Sequence, residues 1–343
     1  MKILSVIIPS YNAEGFLDKA VSSLLVPELL ESLEIIVVND GSGDRTAAIA
    51  GEYCDRFPDT VRLISQENKG HGGALNTGCA AATGKYLKIL DADDWVETRN
   101  LPAFVHALER TDSDVVLTHF HTVDVSTGEV LKWATYPAEF GKALTFEEIM
   151  ADWRGYYRCF TLHGITYNTA FYRQYGIRLS EHVFYEDYEY TTFPCCHART
   201  VTPLDLLIYD YRVGDVNQSV SEASRLKRIG HLETVLHRMI RQSRLAEGLS
   251  GGGKAYMVTK TQELLLSYFT TALLTDPDHR RGRDNARRMM AHFSEEMPEV
   301  AAMARKKYLA FCLMNRLGIR KPAWDAFLKS PVYNRLRNNR SCE

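Results

Sequence analysis

The sequence lacks the segments that would mark a membrane-spanning or disulfide-stapled protein. Among its 343 residues no apolar run approaches the length of about 20 residues that a transmembrane helix needs. The seven cysteines form no Cys-x-x-Cys pair and no zinc-ligand spacing, and their odd number argues against a disulfide framework. The short apolar run after Met1 has no cleavage site and indicates a first strand rather than a signal peptide. We therefore expect a globular cytoplasmic chain with reduced thiols.

Two common nucleotide-binding motifs are also missing. No Gly-x-Gly-x-x-Gly follows the first apolar run and no Walker loop occurs, which argues against NAD and ATP binding of the usual kinds. With 45% hydrophobic and 24% charged residues, the chain is neither disordered nor fibrous and can bury a sizeable core. At this length we expect one large domain with an appendage, or two domains.

Charge is unevenly distributed although the formal net charge is only -2. Residues 1–120 carry a net charge of -8, residues 121–224 carry -6 and residues 225–343 carry +12. The basic C-terminal third indicates an anionic partner such as membrane lipid, although solvated basic helices explain the charge equally well. No nucleic-acid-binding motif accompanies it, so nucleic acid is not expected as a partner. A further interpretation is that the apolar residues of this tail pack on the rest of the protein.

Short apolar runs alternate with amphipathic segments over the first 120 residues. The runs predict strands at residues 3–8, 33–38, 61–64, 86–90 and 114–118, and the segments between them predict helices at 14–25, 44–56, 73–82 and 100–110. Continuous apolar runs indicate strands buried on both faces, so we expect a doubly wound α/β domain with a parallel sheet. After residue 224 the pattern predicts helices at 226–245, 256–274, 283–297 and 300–317, the first two separated by a flexible Gly251–Gly253.

Polar residues follow each of the first four strands. They are Pro9-Ser10-Tyr11-Asn12, Asn39-Asp40-Gly41-Ser42, Gln66-Glu67-Asn68-Lys69-Gly70 and Asp91-Ala92-Asp93-Asp94. In open α/β sheets ligands bind outside the carboxyl ends of the strands, so these loops should meet at one binding rim. There Asp40 is suited to accept hydrogen bonds from a ribose or base and Tyr11 to stack on the base, although each alone is more often a turn residue.

The Asp91–Asp94 segment gathers carboxylates within a few residues, an arrangement that is costly unless a cation offsets their repulsion. Oxygen ligands of this kind select Mg²⁺ or Mn²⁺, while an acidic turn or helix N-terminus remains the alternative. The glycines Gly70, Gly72, Gly73 and Gly78 surround His71 and Asn76 and allow a close backbone approach to a ligand or to another strand. A tight loop without a ligand fits them equally well.

Taken in order and spacing, four segments resemble glycosyltransferase family 2: Ser5–Asn12, Val38–Ser42, Glu67–Gly70 and Asp91–Asp94. The likeness continues through Phe184–Asp187, Tyr209–Arg212 and Gln218–Ser221, and so covers about residues 3–222. It implies a GT-A fold, a nucleotide-sugar donor with UDP favoured, and inversion at the anomeric carbon by direct displacement. The bacterial surface-polysaccharide members of the family are the ones it resembles.

The resemblance also implies roles for individual residues. The nucleotide-binding set would be Pro9, Tyr11, Asn12, Asp40, Asn68, Gly70 and Arg212. Asp91 and Asp93 would form the metal-binding DxD motif, with Asp93 favoured over the neighbouring Asp94 as the Mn²⁺ or Mg²⁺ ligand. Of the Glu186-Asp187 pair, Asp187 is favoured as the catalytic base, because an acceptor hydroxyl is a poor nucleophile until a carboxylate takes its proton. A helix that begins at Glu186 is the structural alternative.

Two further segments are assigned through the resemblance. Arg212 and the loop Gln218–Ser221 would close over the donor diphosphate. His163 and Trp153 fall where acceptor contacts are expected, and Trp153, Tyr156 and Tyr157 either stack on a sugar or form a buried aromatic cluster.

The resemblance divides the chain into a GT-A catalytic domain over residues 1–222 and a helical, basic region over residues 223–343. The resemblance implies a glycan or lipid-linked glycan acceptor. We expect the protein to be cytoplasmic and to make a peripheral contact on the inner face of the membrane, where a lipid-linked acceptor would lie. Two alternatives stay open. Gly70–Gly78 also resembles polyprenyl-phosphate sugar synthases, which transfer to a phosphate, and a non-catalytic nucleotide-binding or membrane-scaffold protein would keep the fold without the reaction.

Overall fold

The computed structural model describes residues 2–136, 139–214, 222–245, 248–328 and 330. Ten strands form one mixed sheet. They are β1 (Leu4–Ser10), β2 (Leu33–Asp40), β3 (Val61–Gln66), β4 (Tyr86–Ile89), β5 (Trp95–Val96), β6 (Val115–Asp124), β7 (Val130–Trp133), β8 (Leu144–Thr145), β9 (Ile165–Asn168) and β10 (Thr200–Val213). Their order is β3-β2-β1-β4-β9-β6-β10-β5, with β7 on β6 and β8 on β10.

The first four strands confirm the predicted βα alternation. Strands β1 and β2 are buried along their whole length, as continuous apolar runs predict. Strand β1 pairs in parallel with both β2 and β4, and β2 pairs in parallel with β3. The carboxyl ends of these four strands therefore lie along one edge and bring the four polar loops together.

The sheet is mixed, so the prediction of a parallel sheet is wrong beyond β4. Strand β9 lies between β4 and β6 and runs antiparallel to both. The apolar pattern of the sequence predicts no strand at its residues. Strand β10 runs parallel to β6 for most of its length and returns the chain toward the Asp91–Asp94 loop, where the Arg212 N–H donates to Asp94.

Fourteen α-helices accompany the sheet in the described residues. They are α1 (Leu17–Leu24), α2 (Thr46–Arg56), α3 (Gly70–Ala81), α4 (Leu101–Arg110), α5 (Phe146–Ala151), α6 (Trp153–Tyr156), α7 (Thr169–Gln174), α8 (Asp187–Thr192), α9 (Glu222–Lys227), α10 (Ile229–Leu245), α11 (Gly251–Thr270), α12 (His279–Glu296), α13 (Pro298–Arg316) and α14 (Lys321–Leu328). None of the helices described is both long and apolar enough to cross a membrane.

Gly251–Gly253 is not a flexible separator, because helix α11 begins at Gly251. At Gly253 the helix lies so close to its neighbour that an added Cβ would stand 2.0 Å from the carbonyl oxygen of Cys196. The glycine is thus required by close packing rather than by chain flexibility.

The described chain forms two compact units. One contains residues 1–216 with residues 245–257, and the other contains residues 217–244 and 258–343. The first carries the sheet and every predicted site residue. The second is helical, and its core includes Leu236, Met239, Phe269 and Phe293. The predicted boundary after residue 222 stays a prediction.

Candidate active site

A cavity of about 370 Å³ opens at the rim formed by the first three strand ends. Its lining includes five of the predicted nucleotide-binding residues and one of the predicted catalytic pair: Pro9, Tyr11, Asp40, Asn68, Gly70 and Glu186. Tyr11 is 57% exposed, which leaves its ring available for stacking on a flat ligand. The cavity is therefore built from the loops that sequence analysis singled out.

Asp40 is fixed at the end of β2 by its neighbours. It is buried, and its Oδ1 accepts hydrogen bonds from the Gln66 side-chain amide at 2.7 Å and from the Lys69 backbone N–H at 2.9 Å. One carboxylate oxygen is thus engaged in holding the loop after β3. A buried carboxylate held in this way is positioned in advance for a polar ligand.

Asn12 and Asn68 shape the rim loops through their side chains. Asn12 has a positive φ of 50°, and its Oδ1 accepts a hydrogen bond from the Gly43 N–H at 2.9 Å. The Asn68 amide donates to the backbone carbonyl of Asp40 at 3.0 Å, and its Oδ1 accepts from the Gly70 N–H at 3.2 Å. Both residues support the cavity wall, and Asn12 does not line the cavity itself.

Backbone strain concentrates around the same cavity. The positive-φ residues other than glycine in the described chain are Asn12, His182 and Tyr185, and the loop 182–184 lines the cavity. Gly70 has a φ of +75°, and a Cβ there would stand 2.9 Å from the His182 backbone nitrogen. Strained residues persist where the surroundings hold them, commonly at ligand sites.

Three potential metal ligands meet behind the cavity. A carboxylate oxygen of Asp91, one of Asp94 and a ring nitrogen of His163 all lie within 4.8 Å of one another. Asp94 is 1% exposed and accepts hydrogen bonds from the Tyr209 hydroxyl at 2.5 Å and the Arg212 N–H at 2.7 Å. Burial first, and then the charges of Asp91 and Asp93, raise the pKa of Asp94 well above its usual range. A cation would relieve that repulsion.

His163 suits this position chemically. Its ring stacks on Tyr211 with 4.2 Å between centroids, and its Nδ1 is buried without a hydrogen-bond partner among the described residues. Burial lowers the pKa of His163 to about 4, so the ring is neutral and able to ligate a metal. Carboxylates with an imidazole fit Mn²⁺ well and Mg²⁺ less well, since Mg²⁺ prefers oxygen alone. The donor set therefore fits the predicted divalent cation.

Asp93, the favoured ligand, does not belong to that three-residue group. It is half-buried, and burial followed by the charge of Asp91 raises the pKa of its carboxyl. The described geometry brings Asp94 and His163 to Asp91 instead. Sequence analysis had placed His163 among the acceptor contacts, because no local pattern links it to an aspartate 72 positions earlier in the chain. The assignment of Asp93 stays a prediction.

His71 joins the cavity to the carboxylates, and sequence analysis missed it. Its Nδ1 lies 2.5 Å from Glu186 Oε1 and its Nε2 lies 3.0 Å from Asp91 Oδ1. Burial lowers the pKa of His71, but hydrogen bonds and charges from Asp91 and then Glu186 raise it well above its ordinary value. Both ring nitrogens can donate to carboxylates only when the ring is protonated. A cationic imidazole thus links Asp91, a predicted metal ligand, to the predicted catalytic pair.

The Glu186-Asp187 pair stands where α8 begins, as the structural alternative proposed. Glu186 is buried and lines the cavity, whereas Asp187 is exposed as the first residue of the helix. One turn further, buried Glu189 accepts hydrogen bonds from the backbone N–H of Ser180 at 2.8 Å and from its hydroxyl at 2.7 Å. This contact ties α8 to the loop that walls the cavity. A helix start and a catalytic pair are compatible here, since an acidic residue in the first turn of a helix is favourable and Asp187 is exposed there.

Arg212 contacts the Asp91–Asp94 loop through its backbone. Its N–H binds Asp94, while its guanidinium carbon lies 4.8 Å from the centre of the Phe16 ring. The guanidinium is not part of the cavity wall. The partner loop Gln218–Ser221 lies outside the described residues.

The aromatic residues near 153 divide between the two interpretations. Tyr156 is buried, and Trp153 packs against Phe160 and Tyr256 with ring centroids 5.2 and 5.5 Å away. Tyr157 is 42% exposed. The aromatic cluster therefore accounts for Trp153 and Tyr156, whereas Tyr157 lies at its exposed edge beside the Arg158 guanidinium.

The sequence profile of Glycosyl transferase family 2 matches residues 5–175, the stretch that contains the rim loops and the Asp91–Asp94 segment. The chain is a member of glycosyltransferase family 2. The resemblance drawn from four short segments is thereby confirmed.

Curated relatives extend the same family assignment. Glycosyltransferase GlyG of Streptococcus pneumoniae serotype 4 is 33% identical over 161 residues, which are 45% of this chain and 52% of that protein. An uncharacterized glycosyltransferase of Bacillus subtilis, EpsJ, is 39% identical over 114 residues, 33% of each chain. The family 2 chain thus spans about a third to a half of the length of these relatives.

Solved structures share the fold over nearly the whole chain. TarS of S. aureus, residues 1–349 in complex with UDP-GlcNAc, superposes with a TM-score of 0.63 at 20% identity and covers 93% of both chains. The mannosyltransferase PcManGT of Pyrobaculum calidifontis, in complex with GDP-Man and Mn²⁺, gives a TM-score of 0.50 at 19% identity, covering 91% of this chain and 84% of its own. The predicted GT-A domain with a helical C-terminal region is confirmed as the fold.

Proposed function

We propose that this family 2 member is a metal-dependent inverting glycosyltransferase. It moves a sugar from a nucleotide-sugar, with UDP favoured as the nucleotide, to a hydroxyl of a glycan or lipid-linked glycan acceptor in surface-polysaccharide assembly. The observation that carries the proposal is the junction made by His71, which joins the rim cavity and the Asp91–Asp94–His163 group to the Glu186-Asp187 pair. The names of the relatives, which include several glycosyltransferases and a minor teichoic acid biosynthesis protein of Bacillus subtilis, support the same class of reaction.

The cavity residues divide the recognition of the donor between them. Tyr11 offers an exposed ring for the base, and Asp40 offers a carboxylate oxygen for base or ribose hydrogen bonds. Pro9 and Gly70 complete the wall without adding a charge. Asn12 and Asn68 hold the loops that carry these groups. Arg212 acts on the diphosphate only if its side chain leaves Phe16.

Asp91 and Asp94 with His163 would hold Mn²⁺ or Mg²⁺, and the predicted ligand Asp93 adjoins them. When bound, the cation neutralises charge on the departing nucleoside diphosphate, electrostatic help that is typically worth about 3 kcal/mol or more. His71 keeps Asp91 in place from the cavity side and contributes a second positive charge.

Asp187 takes the proton of the acceptor hydroxyl as its oxygen attacks the anomeric carbon. Asp187 is exposed at the start of α8, where an acceptor can approach it from solvent, while the burial of Glu186 and its contact with His71 suit a positioning role. A single displacement from the face opposite the diphosphate breaks the bond to that leaving group and inverts the configuration.

The experiment is a donor-turnover assay with Mn²⁺, in which UDP or GDP release from nucleotide-sugars is measured with oligosaccharide and lipid-linked acceptors. We expect Asp187→Asn to lower transfer at least about 100-fold while nucleotide binding persists, because general-base help is typically worth 10²–10⁴. Full transfer by Asp187→Asn would make the base assignment wrong. Nucleotide binding without turnover on any acceptor would instead support the non-catalytic alternative.

The nearest second candidate is a polyprenyl-phosphate sugar synthase. The sequence of Gly70–Gly78 favours it, and a phosphate acceptor needs no strong base. Transfer to polyprenyl phosphate that survives Asp187→Asn would establish this candidate over the hydroxyl-acceptor reaction.

A further inference from the structure

Helix α13 presents an unusual surface in the helical unit. One face packs inward through Val300, Ala304, Phe311 and Met314, with an exposure of 9% or less. The opposite face carries leucines at four-residue intervals, two within the helix and the third, Leu317, at its C-cap. Leu309 is 56%, Leu313 58% and Leu317 66% exposed. At 100° per residue these three positions form one stripe along the helix, directly opposite the packed face.

The stripe is bordered by cations without acidic neighbours in the sequence. From Val300 to Trp324 the chain has six basic residues and no aspartate or glutamate. Among the described residues, Arg305, Lys306, Lys307 and Arg316 form no ion pair, whereas the basic residues of α12 include Arg281, paired with Asp276, and Arg287, paired with Asp284. The positive charges of these four α13 side chains are therefore not neutralised by ion pairs among the described residues, and they can attract an external anionic partner.

We propose that this surface, Leu309, Leu313 and Leu317 with the flanking Arg305, Lys306, Lys307 and Arg316, docks on an anionic phospholipid bilayer. An amphipathic helix with leucines on one face and Lys or Arg beside them lies in the interface plane, where the apolar stripe enters the acyl boundary and the cations meet lipid phosphates. The sequence assigned membrane contact to the basic third in general. The structure narrows the predicted membrane contact to one face of α13. This proposal does not depend on the proposed transfer reaction.

Charge excludes the two simplest protein occupants. The chain beyond Ser330 carries Arg335, Arg337 and Arg340 against Glu343 alone, so it has the same sign as the surface. A second copy that docked through the same helix would bring a second cationic face against the first. Nucleic acid matches the positive charge, but its phosphate backbone provides no apolar surface that would bury the three leucines. A lipid surface provides both anionic phosphates and an apolar interior and is therefore the better fit.

The test is co-sedimentation of the full chain with vesicles of phosphatidylcholine alone and of equal parts phosphatidylcholine and phosphatidylglycerol. We expect binding to the anionic vesicles that weakens as salt is raised. Replacing Arg305, Lys306 and Lys307 with Gln should lower the partition coefficient by roughly 100-fold, at about fivefold per cation. Leu309→Gln with Leu313→Gln and Leu317→Gln should lower it by roughly tenfold or more.

Leu131→Gln is the matched control, because Leu131 on β7 is 51% exposed and should leave binding unchanged. The three α13 leucines lie outside the packed core, so their variants should keep the wild-type melting temperature. Wild-type protein that stays in the supernatant would overturn the proposal. So would equal binding to neutral vesicles, or binding to duplex DNA with none to vesicles. A dimer that becomes monomeric in the leucine variants, without vesicle binding, would assign the face to a second copy.

Discussion

His71 sits between two carboxylates that the chain could not otherwise hold together. Asp91 and Glu186 are 95 positions apart in sequence, and each contacts a different nitrogen of the same ring. Without the imidazolium the two anions would face one another across a partly buried site and repel. We infer that His71 sets the distance between Asp91, a proposed metal ligand, and Glu186 of the proposed catalytic pair.

We expect His71→Asn to lower kcat/KM of transfer by about 10–100-fold, because misplacing catalytic groups by about an ångström is costly. The measurement is steady-state turnover together with a thermal melt that excludes unfolding. His106→Asn serves as the control, since that side chain is 65% exposed on α4 and remote from the cavity lining. Equal activities of the two variants would show that His71 does not position the site.

Much of the site at this scale was predictable, because most of the predicted nucleotide-binding and metal-binding residues lie at or just after a strand end, although Glu186-Asp187 begin a helix and Arg212 lies within β10. Asp40 and Asp91 come directly after apolar runs, and parallel strands bring their carboxyl ends to one edge. His71 and His163 were not predictable as partners of aspartates, since their contacts span long sequence separations and no spacing rule encodes them. Asp94 rather than Asp93 joins Asp91 and His163 because of where β10 places Tyr209, whose hydroxyl donates to Asp94. The sequence does not reveal that position.

At the scale of elements, helix α11 shows how a glycine run can be misinterpreted. Gly251–Gly253 has the composition of a linker, yet helix α11 starts there, and at Gly252 and Gly253 its first turn packs too closely against Phe146 and Cys196 for a side chain. Strand β9 is the other element that the pattern missed. The four residues of β9 pair with β4 on one side and with β6 on the other. Because these neighbours provide burial and ladder hydrogen bonds, the segment forms a strand without a strong strand pattern in its own sequence.

Gly253→Ala should lower the free energy of unfolding by about 1–3 kcal/mol, the typical cost of forcing an atom into a packed contact. Gly251→Ala is the matched control, because a Cβ there meets nothing within 4 Å and should leave stability unchanged or slightly higher. Chemical denaturation of both variants measures the difference. If the two alanine variants proved equally stable, the linker interpretation would be restored.

At the scale of the whole molecule, buried Glu34 ties together several parts of the sheet. Its Oε2 accepts hydrogen bonds from the Ser5 hydroxyl at 2.5 Å and the Thr83 N–H at 2.7 Å, and its Oε1 accepts from Arg62 at 2.6 Å. Burial alone would raise the pKa of Glu34, but these hydrogen bonds together lower it below its usual value. A carboxylate with a folded-state pKa below its unfolded value stabilises the protein above the unfolded pKa.

We expect Glu34→Gln to lower the free energy of unfolding at pH 7 by about 1–3 kcal/mol, since polar partners are left with a weaker acceptor. The difference from wild type should shrink as the pH falls from about 5 through the lowered pKa of Glu34. Urea unfolding at a series of pH values measures it. Glu52→Gln, which removes an ion pair of which both members are exposed, should change stability by less than about 0.5 kcal/mol at every pH. A Glu34→Gln effect that does not depend on pH would contradict the account.

The measurement that tests the central claim most directly is a thermal-shift panel of UDP, GDP, dTDP and CDP, each with Mn²⁺ and with EDTA, on the wild type and on Asp91→Asn. A nucleotide at about 100 times its Kd should add about 2.7 kcal/mol, a shift of a few degrees. We predict that UDP stabilises the wild type with Mn²⁺, and that EDTA or Asp91→Asn removes most of the shift. No shift with any nucleotide, or a shift indifferent to both EDTA and Asp91→Asn, would contradict a metal-assisted donor site at this rim.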